Sequence, residues 1–213
     1  MAEQTFTFTD GTAAASSATV LAAVNEILQS VGLPEVNALD TSGQSEEAEA
    51  EAILDQEDTR IQKRGWHANT LIDKTYSIDT SGHLVLGSSV LKANPVSGSR
   101  YLAEKVTMRD EKIYNLDDET FVWTDDMRLN VVSKVAFAQL PPALRDYIIK
   151  QAAVKFQRFK KRGRVDEQIM QNELLEARIA AEHEDGDAAE RNMLDNAEHY
   201  NLRGRRRERS VYI

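Results

Sequence analysis

Ser17-Ala18-Thr19-Val20-Leu21-Ala22-Ala23-Val24-Asn25-Glu26-Ile27-Leu28-Gln29-Ser30-Val31-Gly32-Leu33-Pro34 is the stretch on which the fold turns. Val20, Leu21, Val24, Ile27, Leu28 and Val31 fall at offsets 0, 1, 4, 7, 8 and 11, one continuous apolar face at the 3.6-residue period. Gly32 supplies the residue after the helix, and Pro34 forbids continuation. With Ser16 or Ser17 as N-cap, the spacing predicts a helix over Ala18–Val31. Residues 1–15 are rich in Thr, Ala and Phe without a helical stripe, so they read as an N-terminal arm or short edge strand.

Downstream, residues 35–44 form a linker. Ser45 caps a second predicted helix, Glu46–Arg64. Its first turns carry Glu46, Glu47, Glu49 and Glu51 and its last carries Arg60, Lys63 and Arg64, both complementing the helix dipole. Ala50, Ile53, Leu54 and Ile61 give a thinner stripe, and Gly65 closes the element. A short link between two helices predicts an antiparallel pair.

The pattern changes at Trp66. Tyr76, Ile78, Leu84 and Leu86 flank Asp79-Thr80-Ser81-Gly82-His83, two strands around a turn. Residues 87–99 are a Gly/Ser/Pro-rich stretch. Short strands are then expected at Val106–Met108, Ile113–Tyr114, Phe121–Trp123 and Leu129–Phe137, which together make a small antiparallel sheet.

Helix returns at Leu140-Pro141-Pro142, since proline is tolerated in a first turn. Leu144, Tyr147, Ile148, Ala152, Phe156 and Phe159 form its apolar face, and Gly163 ends it. Asp166 caps a last predicted helix, Glu167 to about His183. Gly186 is expected to interrupt it, with a further helix from Ala188 to Tyr200. The expected fold is α+β, mainly α: an antiparallel helical bundle (16–65 and 140–200) with an inserted antiparallel β-sheet (66–139). An N-terminal arm (1–15) and an arginine-rich C-terminal arm (201–213) complete it.

Charge is unevenly spread along the 213 residues, whose formal net is −9. Residues 1–65 hold 12 acids and 3 bases, and residues 166–198 hold 11 acids and 2 bases. Arg203, Arg205, Arg206, Arg207 and Arg209 cluster with a single Glu208. An acidic body is poorly suited to wrapping DNA, because phosphate neutralisation dominates such binding. Arginine also pairs carboxylates with two parallel hydrogen bonds. The tail therefore reads first as an arm docking on an acidic protein surface. A solubilising tail and a nucleic-acid contact are the other readings. Val211, Tyr212 and Ile213 could anchor such an arm as an added strand.

Chemistry is sparse. With no cysteine there is no disulfide framework, thiol nucleophile or Cys-ligated metal. No G-x-S-x-G elbow, phosphate-binding loop or dinucleotide fingerprint occurs, so no enzyme activity and no cofactor is expected. His67, His83, His183 and His199 lie too far apart in sequence for a short-spaced metal pair. Glu182-His183-Glu184-Asp185-Gly186-Asp187 lacks calcium-loop spacing and reads as a solvated acidic bend. Asp117-Asp118-Glu119 and Asp125-Asp126 read as turn residues. Trp66 and Trp123 read as core. Phe156 and Phe159, among Lys155, Arg158, Lys160, Lys161 and Arg162, read as core aromatics behind a basic face rather than as a single-strand binder. No apolar run approaches the roughly 18–20 residues of a membrane span. No Lys or Arg precedes Arg60, as a secretory signal would need. A soluble product is the expectation.

Ala23–Pro34, Ile61-Gln62-Lys63-Arg64-Gly65-Trp66, Leu140–Ile148, the Ala-Ala-x-x-Phe-Gln-Arg-Phe run at 152–159 and Asn192-Met193-Leu194-Asp195 resemble, in order and spacing, the tail tubular protein A family. These are head-to-tail adaptors of T7-group short-tailed phages. The resemblance covers both helical pairs and is weaker in the β insertion and tail. It implies a virion protein assembled in the host cytoplasm, in a ring of twelve copies between portal protein and tail nozzle protein. Double-stranded DNA would pass transiently through its centre, and a negative lumen would let DNA slide. Ring contacts are heterologous, so the bases Arg60, Lys63, Arg64, Lys160, Lys161 and Arg162 are candidate partners for a neighbour's acidic helices. Arg203, Arg205, Arg206, Arg207, Arg209, Val211, Tyr212 and Ile213 are candidates for docking on the portal. The alternative is an oligomeric DNA-binding module using the arginine tail.

Overall fold

A computed structural model describes residues 11–39, 45–96, 106–160 and 167–194. Helix α1 runs Gly11–Gln29, beginning upstream of the expected Ser16/Ser17 cap, so residues 11–15 are helical where no helix was expected; residues 1–10 lie outside the described residues. Ala13-Ala14-Ala15 are the best helix formers, and nothing there interrupts propagation. The stop is where the sequence puts it. Gly32 sits at φ 75° and donates to Gln29 O (2.9 Å), while Leu33 N donates to Leu28 O (3.0 Å). This paired closure satisfies two terminal carbonyls, and Leu33 packs on the bundle core. Asn25 then exchanges two 2.9 Å bonds with the Val36 backbone, holding the outgoing chain against α1.

Helix α2 is Glu46–Gln62, and the Ser45 hydroxyl accepts from Ala48 N as expected of an N-cap. Gly65, at φ 87°, closes it through a 3.0 Å bond to Gln62 O. A 3₁₀ turn at His67–Asn69 leads to β1, Thr70–Tyr76. Strands β2 (Val90–Pro95) and β5 (Met127–Ser133) complete an antiparallel sheet of order β1-β5-β2, with Thr70 opposite Val132 and Val90 opposite Ser133. Strands β3 (Val106–Arg109) and β4 (Lys112–Asn115) form a separate hairpin. Its turn, Asp110-Glu111, has both φ positive (48° and 59°), the conformation a two-residue hairpin turn demands.

Three β expectations are corrected. The stretch read as turn-rich contains β2: Val90, Lys92, Ala93 and Asn94 pair with β5 around an irregularity at Leu91, and Pro95 is tolerated because β2 lies at the sheet edge. Phe121–Trp123 is not a strand and contributes only the bridge His83–Val122, while Trp123 is buried and its indole N–H donates to Ile113 O (3.0 Å). The last strand stops at Ser133, and Phe137–Gln139 is a 3₁₀ turn.

Helices α3 (Pro142–Lys160) and α4 (Glu167–Leu194) follow. Their contacts run in opposite order along the chain: Ala143 meets Glu184 and Lys150 meets Glu173, so the two are antiparallel. Helix α4 passes straight through Gly186, contrary to the expected break. A mid-helix glycine costs only about 1 kcal/mol relative to alanine, and contacts of Glu184 and Asp185 described below hold that turn. Phe159, expected on the apolar stripe, is 63% exposed, whereas Phe156 is fully buried.

The core has two parts. One gathers Val24, Ile27 and Leu28 of α1, Leu54 and Ile61 of α2, Leu144, Ile148 and Phe156 of α3, and Ala177 and Ala181 of α4. Trp66 joins it edge-on to Tyr147, with centroids 6.3 Å apart. The other lies under the sheet, with Leu84, Ile113, Trp123, Met127, Leu129 and Val131. Between them sits a buried polar hinge. Gln62 Nε2 donates to Asp58 Oδ1 (2.8 Å) and Val135 O (2.9 Å), and its Oε1 accepts from Val135 N (2.8 Å). Asn69 Nδ2 donates to Gln62 O (3.0 Å) and Ser133 O (3.1 Å), and Asn69 Oδ1 accepts from Trp66 N (2.8 Å). Two amides thus weld the end of α2 to the end of β5, with good partners for their buried polar groups.

Candidate assembly surfaces

The basic residues singled out from sequence fall at the two ends of α2. At its C-terminal end, Arg60 Nε bonds Glu57 Oε2 at 2.5 Å, and Lys155 Nζ reaches the other oxygen of that buried carboxylate at 3.1 Å. Two cations on one carboxylate leave positive charge in excess. Lys63 is exposed one turn on. Arg64 lies 3.6 Å from Glu182 Oε1 of α4, with its guanidinium 5.7 Å from the Trp66 ring centroid. At the N-terminal end, Lys160 of α3 pairs with Glu46 (3.6 Å) and Glu49, and its ammonium lies 5.5 Å from the Phe156 ring and 5.8 Å from that of Phe159. Arg64 and Lys160 therefore clasp helices of their own chain. Lys161, Arg162 and the whole tail, Arg203 to Ile213, lie outside the described residues.

The acidic run on α4 is more than a solvated bend. Glu182 Oε1 accepts from Arg178 Nε (2.8 Å) and lies near Arg64; the Arg178 bond, then both positive charges, holds its carboxyl below the ordinary value. Glu184 Oε2 accepts from Ala143 N (3.2 Å) in the first turn of α3, a helix end that favours negative charge. Asp185 Oδ1 accepts from His67 N (2.6 Å) at the entry to the sheet. Among the described residues, no cluster of His, Asp and Glu is arranged to hold a metal ion.

A second acidic group bridges three helices. Lys150 Nζ of α3 lies 2.7 Å from Glu26 of α1 and 3.9 Å from Glu173 of α4. Burial pushes the neighbouring Asp146 carboxyl up; Lys150 opposes this, while Glu26 and Glu173 add to it. Burial pulls the Lys150 ammonium down, but the Glu26 bond and the surrounding acids outweigh it and raise its pKa. In the hinge, burial likewise raises Asp58, against the Gln62 bond and Lys134.

The paired acids of the β region are turn residues. Asn115 Oδ1 accepts from Asp117 N (2.9 Å) and Asp118 N (3.3 Å). Asp126 accepts from Ser77 Oγ (2.8 Å) and Ile78 N (3.1 Å).

What the sequence reading missed is a second face on α4. Met170, Leu174, Ala177 and Ala181 pack inward. Gln168, Asn172, Leu175, Ile179, His183 and Gly186 are all exposed, at spacings of 4, 3, 4, 4 and 3 residues. At 100° per residue they form one uncharged stripe on the far side of the helix from its buried face. Leu175 (54% exposed) and Ile179 (46%) sit at its middle. The signal was present as a heptad-like run of uncharged positions in a helix holding eight acids and two bases. On the sheet, the edge strand β1 exposes Leu71 and Ile72 at a bulge, where Asp73 adopts φ 59° and pairs with Arg128. No helix among the described residues is long and apolar enough to cross a membrane.

A family model described as "Tail tubular protein" matches residues 21–191. That span takes in both helical pairs and the β elements between them. No curated protein matches the chain.

Proposed function

The chain belongs to the tail tubular protein family and is a structural component of a phage tail, and from that premise we propose that it is the head-to-tail adaptor of a short-tailed phage. The match over residues 21–191 is the observation that carries this reading. In it, identical subunits close into a ring, twelve by the resemblance to tail tubular protein A. The ring stands between portal protein and tail nozzle protein and surrounds the path of double-stranded DNA during retention and ejection. The role is architectural, with no catalytic step and no cofactor.

The acidic body supports passage rather than capture. Negative carboxylates facing phosphate would keep DNA from adhering. The arginine arm, residues 201–213, is assigned to docking on the portal through Arg203, Arg205, Arg206, Arg207 and Arg209, with Val211, Tyr212 and Ile213 as its apolar anchor. Arg60 and Lys63, exposed at the end of α2, remain candidates for a neighbour's acidic surface, together with Lys161 and Arg162. Arg64 and Lys160 would contribute mainly by holding helices in place.

Electron microscopy of the purified protein, alone and mixed with portal, tests the reading. Closed rings stacked on portal support it. Particles that neither close nor associate with portal reject it. A chain shortened to residue 200 should stay soluble and fail to dock; normal docking would remove the arm from the proposal. A strongly salt-dependent DNA gel shift, lost on the same truncation, would favour the DNA-binding alternative.

A further inference from the structure

Strand β1 is the least covered strand of the sheet. It forms one outer edge, and residues 71–75 are all exposed. Leu71 is 47% and Ile72 76% exposed, and successive strand residues point to opposite faces, so the sheet lies open on both sides there. Alternate residues of β1 turn their N–H and C=O groups away from β5, and no strand among the described residues lies there to meet them. The other edge is defended: β2 ends on Pro95, which has no N–H to offer, and β3 packs beside it. We propose that Thr5-Phe6-Thr7-Phe8-Thr9 of a second copy adds to the free edge of β1 as a fourth strand. This rests on the oligomeric reading above and names a contact that would build it.

What the edge can take selects the occupant. A free strand edge offers main-chain hydrogen bonds to an extended chain and side-chain contacts at every second residue. Residues 1–10 precede α1 and lie outside the described residues, as do 40–44, 97–105, 161–166 and 195–213. Of these stretches only 5–9 alternates a β-branched with an aromatic residue over five positions, without a charge, glycine or proline. In such a strand Phe6 and Phe8 share one face, where they would cover Ile72; aromatic against β-branched is a favourable cross-strand pair. The bulge at Asp73 ends the regular edge. Asn130 Oδ1 accepts from its N–H (2.9 Å) and Arg128 pairs with its carboxylate, so the added strand is short and centred on Thr70–Ile72. No ion pair has to break to admit it. The donor is a neighbour for two reasons. Helix α1 begins at Gly11, nine residues or about 13 Å ahead of Val20, the first of its described side chains to pack on the bundle core. It meets its own sheet end at Phe137–Gln139, whereas β1 leaves from the His67–Asn69 turn that α4 holds. Passing the segment to the next subunit joins two unlike patches, the heterologous contact from which rings close.

The chain has no cysteine, so disulfide trapping in the full chain provides the test. Ile72→Cys, mixed in turn with Thr5→Cys, Phe6→Cys, Thr7→Cys, Phe8→Cys and Thr9→Cys and mildly oxidised, should give dimers of the two different chains, identified by mass. The yield should alternate along the segment, several-fold higher from positions 6 and 8 than from 5, 7 and 9, which mere proximity would not produce. A chain lacking residues 1–10 should assemble at least 10-fold more weakly in analytical ultracentrifugation, and so should Ile72→Asp. The thermal melts of both, taken at dilutions where the protein is unassembled, should match wild type. Rings formed by the shortened chain at wild-type concentrations overturn the added strand and leave the adaptor reading standing. So does trapping without alternation, or trapping only within one chain that carries both Ile72→Cys and Phe8→Cys. If the shortened chain closes into rings but no longer docks on portal, the segment serves portal and the proposal fails. A wild-type chain that never assembles, with or without portal, overturns both.

Discussion

The backbone N–H of His67 donates to Asp185 Oδ1 at 2.6 Å across 118 residues of sequence. The bond fixes the far end of α4 at the entrance to the sheet, one residue from where Glu184 caps α3. Asp185→Ala should therefore lower stability by about 1 kcal/mol, the net value of such a bond. For a chain of this length that is about 2–4 °C in Tm. Amide exchange should locate the loss in the last turns of α4. A melt matching wild type with unchanged exchange there would show that the clasp is incidental.

The Gln62 hinge should be far more sensitive. Gln62→Leu leaves the Val135 N–H and C=O and the Asp58 carboxylate without their buried partner, a loss on the order of 3 kcal/mol. Urea unfolding measures it. A loss under about 1 kcal/mol would mean that water replaces the amide, as buried water can where polar partners remain.

Two glycines should respond with opposite sign. Gly82 sits at φ 76°, and an added Cβ would meet Val122 Cγ1 at 3.0 Å and Trp123 O at 3.2 Å. Gly82→Ala should destabilise by about 1–2 kcal/mol from the left-handed backbone alone, and by more from crowding. Gly186 lies within α4 with nothing within 4 Å of its would-be Cβ, so Gly186→Ala should stabilise by about 0.5–1 kcal/mol. Thermal melts of the two variants give the comparison directly.

Acid titration should separate the carboxyls that desolvation raises from the one that pairing lowers. Burial raises Asp58 and Asp146 in the folded state, so folding takes up protons between the ordinary value of 3.8 and the raised one. Their ionised forms therefore cost stability at neutral pH, and that cost fades as pH falls through the raised value. Asp58→Asn should gain on wild type at pH 7 and lose that advantage on acidification. Glu182 is the reverse case. Its carboxyl is held below 4.5, so its contribution is present above 4.5 and is lost as pH falls through the depressed value. Glu182→Gln should cost stability at pH 7 and become neutral in acid. Urea midpoints across pH 3–7 check both signs.

Helix ends were readable from sequence wherever local chemistry decides them. Gly32, Ser45 and Gly65 act within one turn of themselves, and each does what its residue type implies. Strand β2 was hidden because Val90–Ala93 becomes a strand only against β5, some forty residues on, while nearby Gly and Ser signal turns. Helix α4 outlasts Gly186 because His67 and Ala143, 118 and 41 residues from their acidic partners, hold it. Periodicity placed Phe159 on the α3 stripe, but spacing cannot report where the helices covering a stripe stop. The same gap explains the candidate surfaces. Arg64 and Lys160 stand out as basic helix ends, yet only the fold shows that Glu182 and Glu49 occupy them.

The clasp at Asp185 also gives the subunit a direction. Helix α4 continues nine residues past it, about 13 Å, to Leu194. Helix α4 therefore ends past the sheet end of the bundle, while Lys160, the last residue of α3, lies at the opposite end beside the start of α2. The two ends of the bundle are thus unlike: one carries the protruding α4 and the sheet, the other the Lys160 contacts with Glu46 and Glu49.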